Sequence, residues 1–177
     1  MSKNNIIMAI YPNSRGLGFV LCGDTPNDII SRGVGSLSIL SPYGYVSRLR
    51  KMITRYRPSI VVLKDYYDAG VVVSPRVRKI IEAMEKEAYS NELTVYRYSR
   101  KHIRKIFEPY TDNTNKYGIS LVLSLWYPDL KRFLAPPRTI TTPESYRTVV
   151  FDAYSLLYCY FTLSHLNQKQ KNENTNN

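Results

Sequence analysis

The sequence predicts an α/β fold in a single domain, on three observations. Apolar runs with strand patterning follow one another at the N-terminal end of the chain. Beyond them, short apolar runs alternate with segments patterned at helical spacing. The length, 177 residues, suits one sizeable core and hardly allows two. The domain is expected to span residues 1–166, and residues 167–177 (NQKQKNENTNN) read as a polar, low-complexity, disordered tail.

Ile6 to Ile10 is a continuous apolar run, the pattern of a strand buried on both faces. Pro12-Asn13-Ser14 is turn chemistry, with φ set by Pro12 and a left-handed backbone tolerated at Asn13. Gly16 to Leu21 reads as a second strand, and the resulting hairpin can sit at the centre of a sheet. Asp28 to Ile39, with Ile29, Ile30, Val34, Leu37 and Ile39, supports a third strand interrupted by glycines. Pro42 to Arg57 puts Tyr43, Val46, Leu49, Met52, Ile53 and Tyr56 at helical spacing. Arg48, Arg50, Lys51 and Arg55 take the other positions, so this helix has a basic outer face, and Pro58 stops it. Ser59 to Leu63 (SIVVL) is an interior strand. Val77 to Tyr89 is a helix with Val77, Ile80, Ile81, Met84 and Ala88 inward. Leu93 to Tyr98 is a strand, and Ser99 is an N-cap for the RKHIRKIF that follows. Asn115 to Trp126 and Glu144 to Leu166 are helices, separated by a connection through Pro136, Pro137 and Pro143.

Tyr11-Pro12-Asn13-Ser14-Arg15 followed by Gly18-Phe19 resembles the first motif of RuvC-type Holliday junction resolvases, a branch of the RNase H-like superfamily. In that motif an Asp stands where this chain has Tyr11. Arg57-Pro58 before an apolar strand resembles the approach to the second motif. Glu92 to Tyr98 with Ile103-Arg104-Lys105 resembles the fifth strand and the basic segment behind it. Asn115-Lys116 resembles the Lys-bearing helix start, and Asp152-Ala153 the last motif. The resemblance implies a five-stranded mixed sheet of order 3-2-1-4-5, with strand 2 antiparallel, flanked by helices. Ile6–Ile10 and Ser59–Leu63 are then adjacent parallel strands.

The resemblance also implies a chemistry. RuvC-type cleavage uses two divalent cations held by about four carboxylates, because hard cations need several converging anionic oxygens. The family positions fall here on Tyr11, Lys64, Val149 and Asp152, and only Asp152 is a carboxylate. An ammonium at Lys64 puts positive charge where a metal would sit. Asp65 could replace it only by a one-residue slip, which turns a strand side chain to the other face. Asp152 instead suits a salt bridge with Lys64. The reading placed first is a RuvC-like protein that keeps the fold and binds nucleic acid, with branched DNA as the candidate substrate, without cutting and without a metal cofactor. The second is a Mg- or Mn-dependent endonuclease with a rearranged carboxylate set drawn from Asp65, Asp152, Asp68 and Glu144. The third is a scaffold that keeps a resolvase-like homodimer interface and has no nucleic-acid role.

Charge supports a polyanionic partner: 25 Lys and Arg against 14 Asp and Glu give a formal net charge of +11. The densest basic stretch carries Arg97, Arg100, Lys101, Arg104 and Lys105. Counted at helical spacing, Arg97, Lys101, Arg104 and Lys105 share a face that can track phosphates. Lys116 adds a charge where the family keeps a basic residue near the scissile phosphate. Tyr67 takes the place of an aromatic that the family uses at the junction centre. The blander alternatives are a solvated helix face and core tyrosines. His102 and His165 are the only histidines and bring no catalytic partner; Gly16-Leu17-Gly18 lacks the strand-to-helix context of a phosphate loop. Cys22 and Cys159 have no metal spacing and read as buried thiols of a reducing cytosol. No signal-peptide pattern opens the sequence, and no apolar stretch reaches membrane-spanning length without a charge.

Overall fold

The computed structural model describes residues 5–37, 40–67, 73–137 and 145–175, with side chains through Ser164. Five strands form one sheet: β1 (Ile7–Pro12), β2 (Gly16–Cys22), β3 (Ile29–Ser36), β4 (Ile60–Lys64) and β5 (Thr94–Tyr98). Their order is β3-β2-β1-β4-β5. β2 runs antiparallel to both β1 and β3, whereas β1–β4 and β4–β5 are parallel. The expected topology holds, and the run read as doubly buried is the central strand, buried at every residue.

The first turn works differently from the expectation. Among the described residues, only Arg57 and Glu92 are non-glycines with positive φ, so Asn13 does not take a left-handed backbone. Its side-chain oxygen instead accepts from the N–H groups of Arg15 (2.8 Å) and Gly16 (3.0 Å), an Asx-type closure that needs no unusual φ.

Among the described residues, five α-helices cover the sheet: α1 (Pro42–Tyr56), α2 (Pro75–Ser90), α3 (Arg100–Phe107), α4 (Lys116–Trp126) and α5 (Val149–Thr175). α1 and α2 pack Leu49, Met52, Ile80 and Met84 on one face, against Met8, Ile10, Val61 and Leu63. α3, α4 and α5 cover the other, against Ile7, Ala9, Val20 and Val62. Strand alternation divides the sheet side chains between these two cores. α1 turns Leu49, Met52, Ile53 and Tyr56 to the core as expected, but at its start Tyr45 is fully buried, its hydroxyl donating to the Asn13 carbonyl at 2.5 Å, while Tyr43 points to solvent. At the end of α1, Arg57 adopts the left-handed cap conformation just before Pro58.

α5 holds the second layer together. Val149 to Leu157 is buried on every side of the helix, the pattern of a helix enclosed between layers. Its first turn lies directly on β2. A Cβ built on Gly18 would stand 2.1 Å from the Val149 carbonyl oxygen, so only glycine lets the helix come this close. No helix among the described residues is long and apolar enough to cross a membrane.

Candidate functional site: a cation-filled pocket at the ends of β1 and β4

The register builds the site. Ile7 pairs with Ile60 and Ala9 with Val62; two residues on, Tyr11 comes beside Lys64 at the strand ends. Tyr11 also pairs with Gly18, on which α5 rests. The first turn of α5 therefore brings Asp152 over the end of β1. The fourth contributor is Lys116, the first residue of α4. Its position is set by the Asn115 cap, which accepts from the Gly118 N–H at 2.8 Å.

These side chains converge as expected, but the ion pair differs. Lys116 Nζ donates to Asp152 Oδ2 at 3.1 Å, and the Lys64 ammonium makes no such contact. Strand β4 ends at Lys64, whose ammonium turns onto the Tyr11 ring, 5.3 Å from its centroid. The Lys116 ammonium lies 5.6 Å from the same centroid. Asp152 is 5% exposed and Tyr11 7%, so the carboxylate and the ring are buried, while the Lys116 side chain is 44% exposed and reaches solvent. Burial holds the Lys64 ammonium below its ordinary value of 10.5. Asp152 opposes that shift, and the charges of Lys116 and Arg100 add to it. Among the described residues, Asp152 is thus the carboxylate that acts on Lys64, against the charges of Lys116 and Arg100.

Among the described residues, the donor set does not fit a divalent-metal pair. Two hard cations need several converging carboxylates, and the pocket supplies Asp152, already bonded to Lys116. Val149, at a family ligand position, is apolar and gives its backbone to the contact with Gly18. Asp65 follows Lys64 and so turns to the other side of the chain, where its carboxylate accepts from the Tyr67 N–H at 2.9 Å. Asp68 and Glu144 lie outside the described residues, as does the side chain of His165. Among the described residues, no group of three or more His, Cys, Asp or Glu could hold a metal. Phosphate oxygens, by contrast, match an excess of cations.

The basic segment is rearranged too. Arg97 belongs to β5, where alternation points it toward α2, and it pairs with Glu85 at 3.1 Å. It therefore does not share the face of α3. Arg100 leans inward and donates to the Thr114 carbonyl at 3.2 Å. Lys101, Arg104 and Lys105 do form one exposed face, opposite the buried Ile103 and Phe107. Ser99 caps α3 as expected, and His102 completes the cap: its Nδ1 accepts from the Ser99 N–H at 3.1 Å, which gives this histidine a structural role. Tyr67 is 65% exposed. Its ring packs on Tyr66 at 4.2 Å, with the Arg97 guanidinium 5.4 Å from its centroid. Cys22 and Cys159 are fully buried, and burial pushes both thiols up to about 12, so neither is a nucleophile at neutral pH.

Crowded cations make a testable signature. The folded value of Lys64 lies below its unfolded one, so its charged form is disfavoured by folding. Below the folded value that penalty is fully present; it is lifted as pH rises toward 10.5, because the unfolded chain then binds more protons. Lys64→Met removes the penalty. Its melting temperature should exceed the parent's by roughly 2–4 °C at pH 7. Comparing the two proteins cancels the tyrosines that titrate in the same range, and the gain should shrink as pH nears 10.5. A lower melting temperature in the variant would show that Lys64 stabilises the fold.

A central antiparallel hairpin, two parallel crossovers and an enclosed C-terminal helix define the RNase H-like fold. No protein-family model matches the sequence, and no curated protein matches it in sequence. Solved structures do match. RuvC of T. thermophilus in complex with Holliday junction substrate superposes with a TM-score of 0.61 at 13% identity, covering 92% of this chain and 96% of that one. The yeast mitochondrial Holliday junction resolvase Ydc2 has a TM-score of 0.57 at 11% identity, over 96% of this chain and 84% of that one. Fowlpox virus resolvase, in complex with Holliday junction DNA, has 0.54 at 13% identity, over 86% and 97%. The chain has the fold of the RuvC-type Holliday junction resolvases.

Proposed function

We propose that this protein binds nucleic acid, branched DNA in particular, and does not cut it. The observation that carries the reading is the replacement of a metal-binding corner by cations. Lys64 and Lys116 both lie against the Tyr11 ring, around Asp152, which among the described residues is the one carboxylate of this corner. Such a corner suits the phosphate that a resolvase would cleave, but supplies no water activated by metal. The exposed cationic face of α3 and the formal charge of +11 support the same reading. So does the fold, since the RuvC and fowlpox resolvase structures that match it contain Holliday junction DNA.

The test is a titration of a labelled four-way DNA junction and of plain duplex at several salt concentrations, paired with a nicking assay. Affinity should fall steeply with salt on both, be higher on the junction, and be accompanied by no nicking in magnesium or manganese. Metal-dependent nicking would overturn the non-cutting part. Absence of salt-dependent binding would overturn the whole and leave a scaffold role.

A further inference from the structure

A second basic surface shares the sheet face that carries the pocket. Tyr11 is paired with Gly18, and Gly18 with Val34. Directly opposed residues lie on one face, and alternate residues of a strand do too. Arg32 and Val34 of the edge strand β3 therefore face the same side as Tyr11. With strands ~4.8 Å apart, Val34 lies about 10 Å from Tyr11. At this point a cleft of about 530 Å3 opens, bounded by Arg32, Val34, Arg132, Phe133, Tyr146 and Arg147.

The lining is chemically one-sided. Three arginines line it, and none of the described residues bounding it is acidic. Arg32 is held in place by an ion pair with Asp129 outside the cleft. The Arg132 guanidinium lies over the Phe133 ring, 4.8 Å from its centroid. Arg147 and Tyr146 sit on a short 3-10 helix (Tyr146–Thr148) that leads into α5, and Tyr146 is 50% exposed. Planar guanidiniums bind phosphate oxygens in pairs, and an exposed ring beside them offers a face to a base. The turn is the same one that delivers Val149 to Gly18, so cleft and pocket are fixed to each other by α5. A separation of about 10 Å is about three nucleotides at 3.4 Å each along a duplex strand.

We propose that this cleft is a second nucleic-acid contact. It holds the sugar–phosphate backbone of a strand through Arg132 and Arg147, with Arg32 tied to Asp129 behind them, and takes an unpaired base against Tyr146. The strand that reaches the pocket continues across the edge of the sheet into the cleft. The proposal rests on the nucleic-acid reading above and fails separately from it.

The experiment uses the full chain, a labelled four-way junction, a single strand and a duplex. Arg132→Ala with Arg147→Ala should lower the slope of log affinity against log salt by about two, since each phosphate contact releases condensed counterions. Both side chains are exposed, so the variant should melt with the parent. Arg132→Lys with Arg147→Lys keeps the charges and should recover most of the slope, which separates a lost contact from a folding defect. Tyr146→Ala should weaken single-strand and junction binding several-fold and duplex binding less. If the double Ala variant binds with the parent's affinity and slope while neutralising α3 weakens binding, the cleft is no contact and the nucleic-acid reading stands. If the parent binds none of the three probes, both are overturned.

Discussion

Gly18→Ala is expected to destabilise the protein by about 3 kcal/mol, at the upper end for an overpacked core. The added Cβ would lie 2.1 Å from the Val149 carbonyl oxygen, 2.5 Å from its carbon and 2.8 Å from the Val150 nitrogen. All three atoms are backbone, so no rotamer change relieves the clash. Either α5 lifts or β2 is pushed away from it, and each opens a core in which Val150, Tyr154 and Leu157 are completely buried. For a domain of this size the loss corresponds to a fall of roughly 6–12 °C in melting temperature. Gly33→Ala is the control on the same sheet. Its Cβ would meet only Phe19 ring atoms at 3.5 Å, ordinary contact, and the variant should melt close to the parent. Equal melting of the Gly18 and Gly33 variants in a circular-dichroism scan would show that α5 is not seated as described. The same variant should also disturb the pocket, because the contact at Gly18 is what holds Asp152 over Tyr11.

The sheet was legible because its information is local. A continuous apolar run marks β1 as central, SIVVL marks β4 as interior, and a short turn marks the hairpin between β1 and β2. Order and strand direction came from motif resemblance, since periodicity carries no pairing information. The pocket's membership was legible in the same way: Tyr11, Lys64 and Asp152 stand at motif positions and do meet. Their partnering was not. Lys116 takes Asp152 because the capped start of α4 brings its ammonium to the pocket while Lys64 turns onto Tyr11, a three-dimensional competition that no spacing encodes. Helical spacing counted through Ser99 misplaces Arg97, because there the chain is still passing from strand to helix. Tyr43 and Tyr45 differ only in helix phase, and the tight contact of Tyr45 with the Asn13 carbonyl decides which goes inside. The cleft arginines escaped notice for a different reason. Arg32, Arg132 and Arg147 come from three distant segments, and none sits in a basic run. Only the pairing of β3 with β2 and the docking of α5 on β2 bring them together.

Neutralising the outer face of α3 should produce the largest loss of binding. Lys101, Arg104 and Lys105 are exposed on one side of an eight-residue helix whose other side, at Ile103 and Phe107, is buried. The helix is rigidly placed, with a reciprocal cap at Ser99 and His102, so the three charges present a fixed row. Arg100 is left unchanged, because it ties the chain at Thr114 and its removal would disturb the loop before Lys116. Replacing the three by Ala should weaken junction and duplex alike, on the order of a hundredfold at low salt, and reduce the salt slope by about two to three. The loss should be uniform across sequences, because phosphate contacts carry no base information. Tyr67→Ala makes the contrast. Its ring is exposed yet held by Tyr66 and Arg97, an ordered platform for a base that has left its stack. Its removal should therefore cost several-fold on a junction and little on duplex, with the salt slope unchanged. Titrations of the two variants on both DNAs at several salt concentrations check each half. If the triple variant keeps the parent's affinity and slope, the face of α3 is only solvated surface. The positive charge of the pocket would then have to act alone, and a scaffold role would become the better account of this fold.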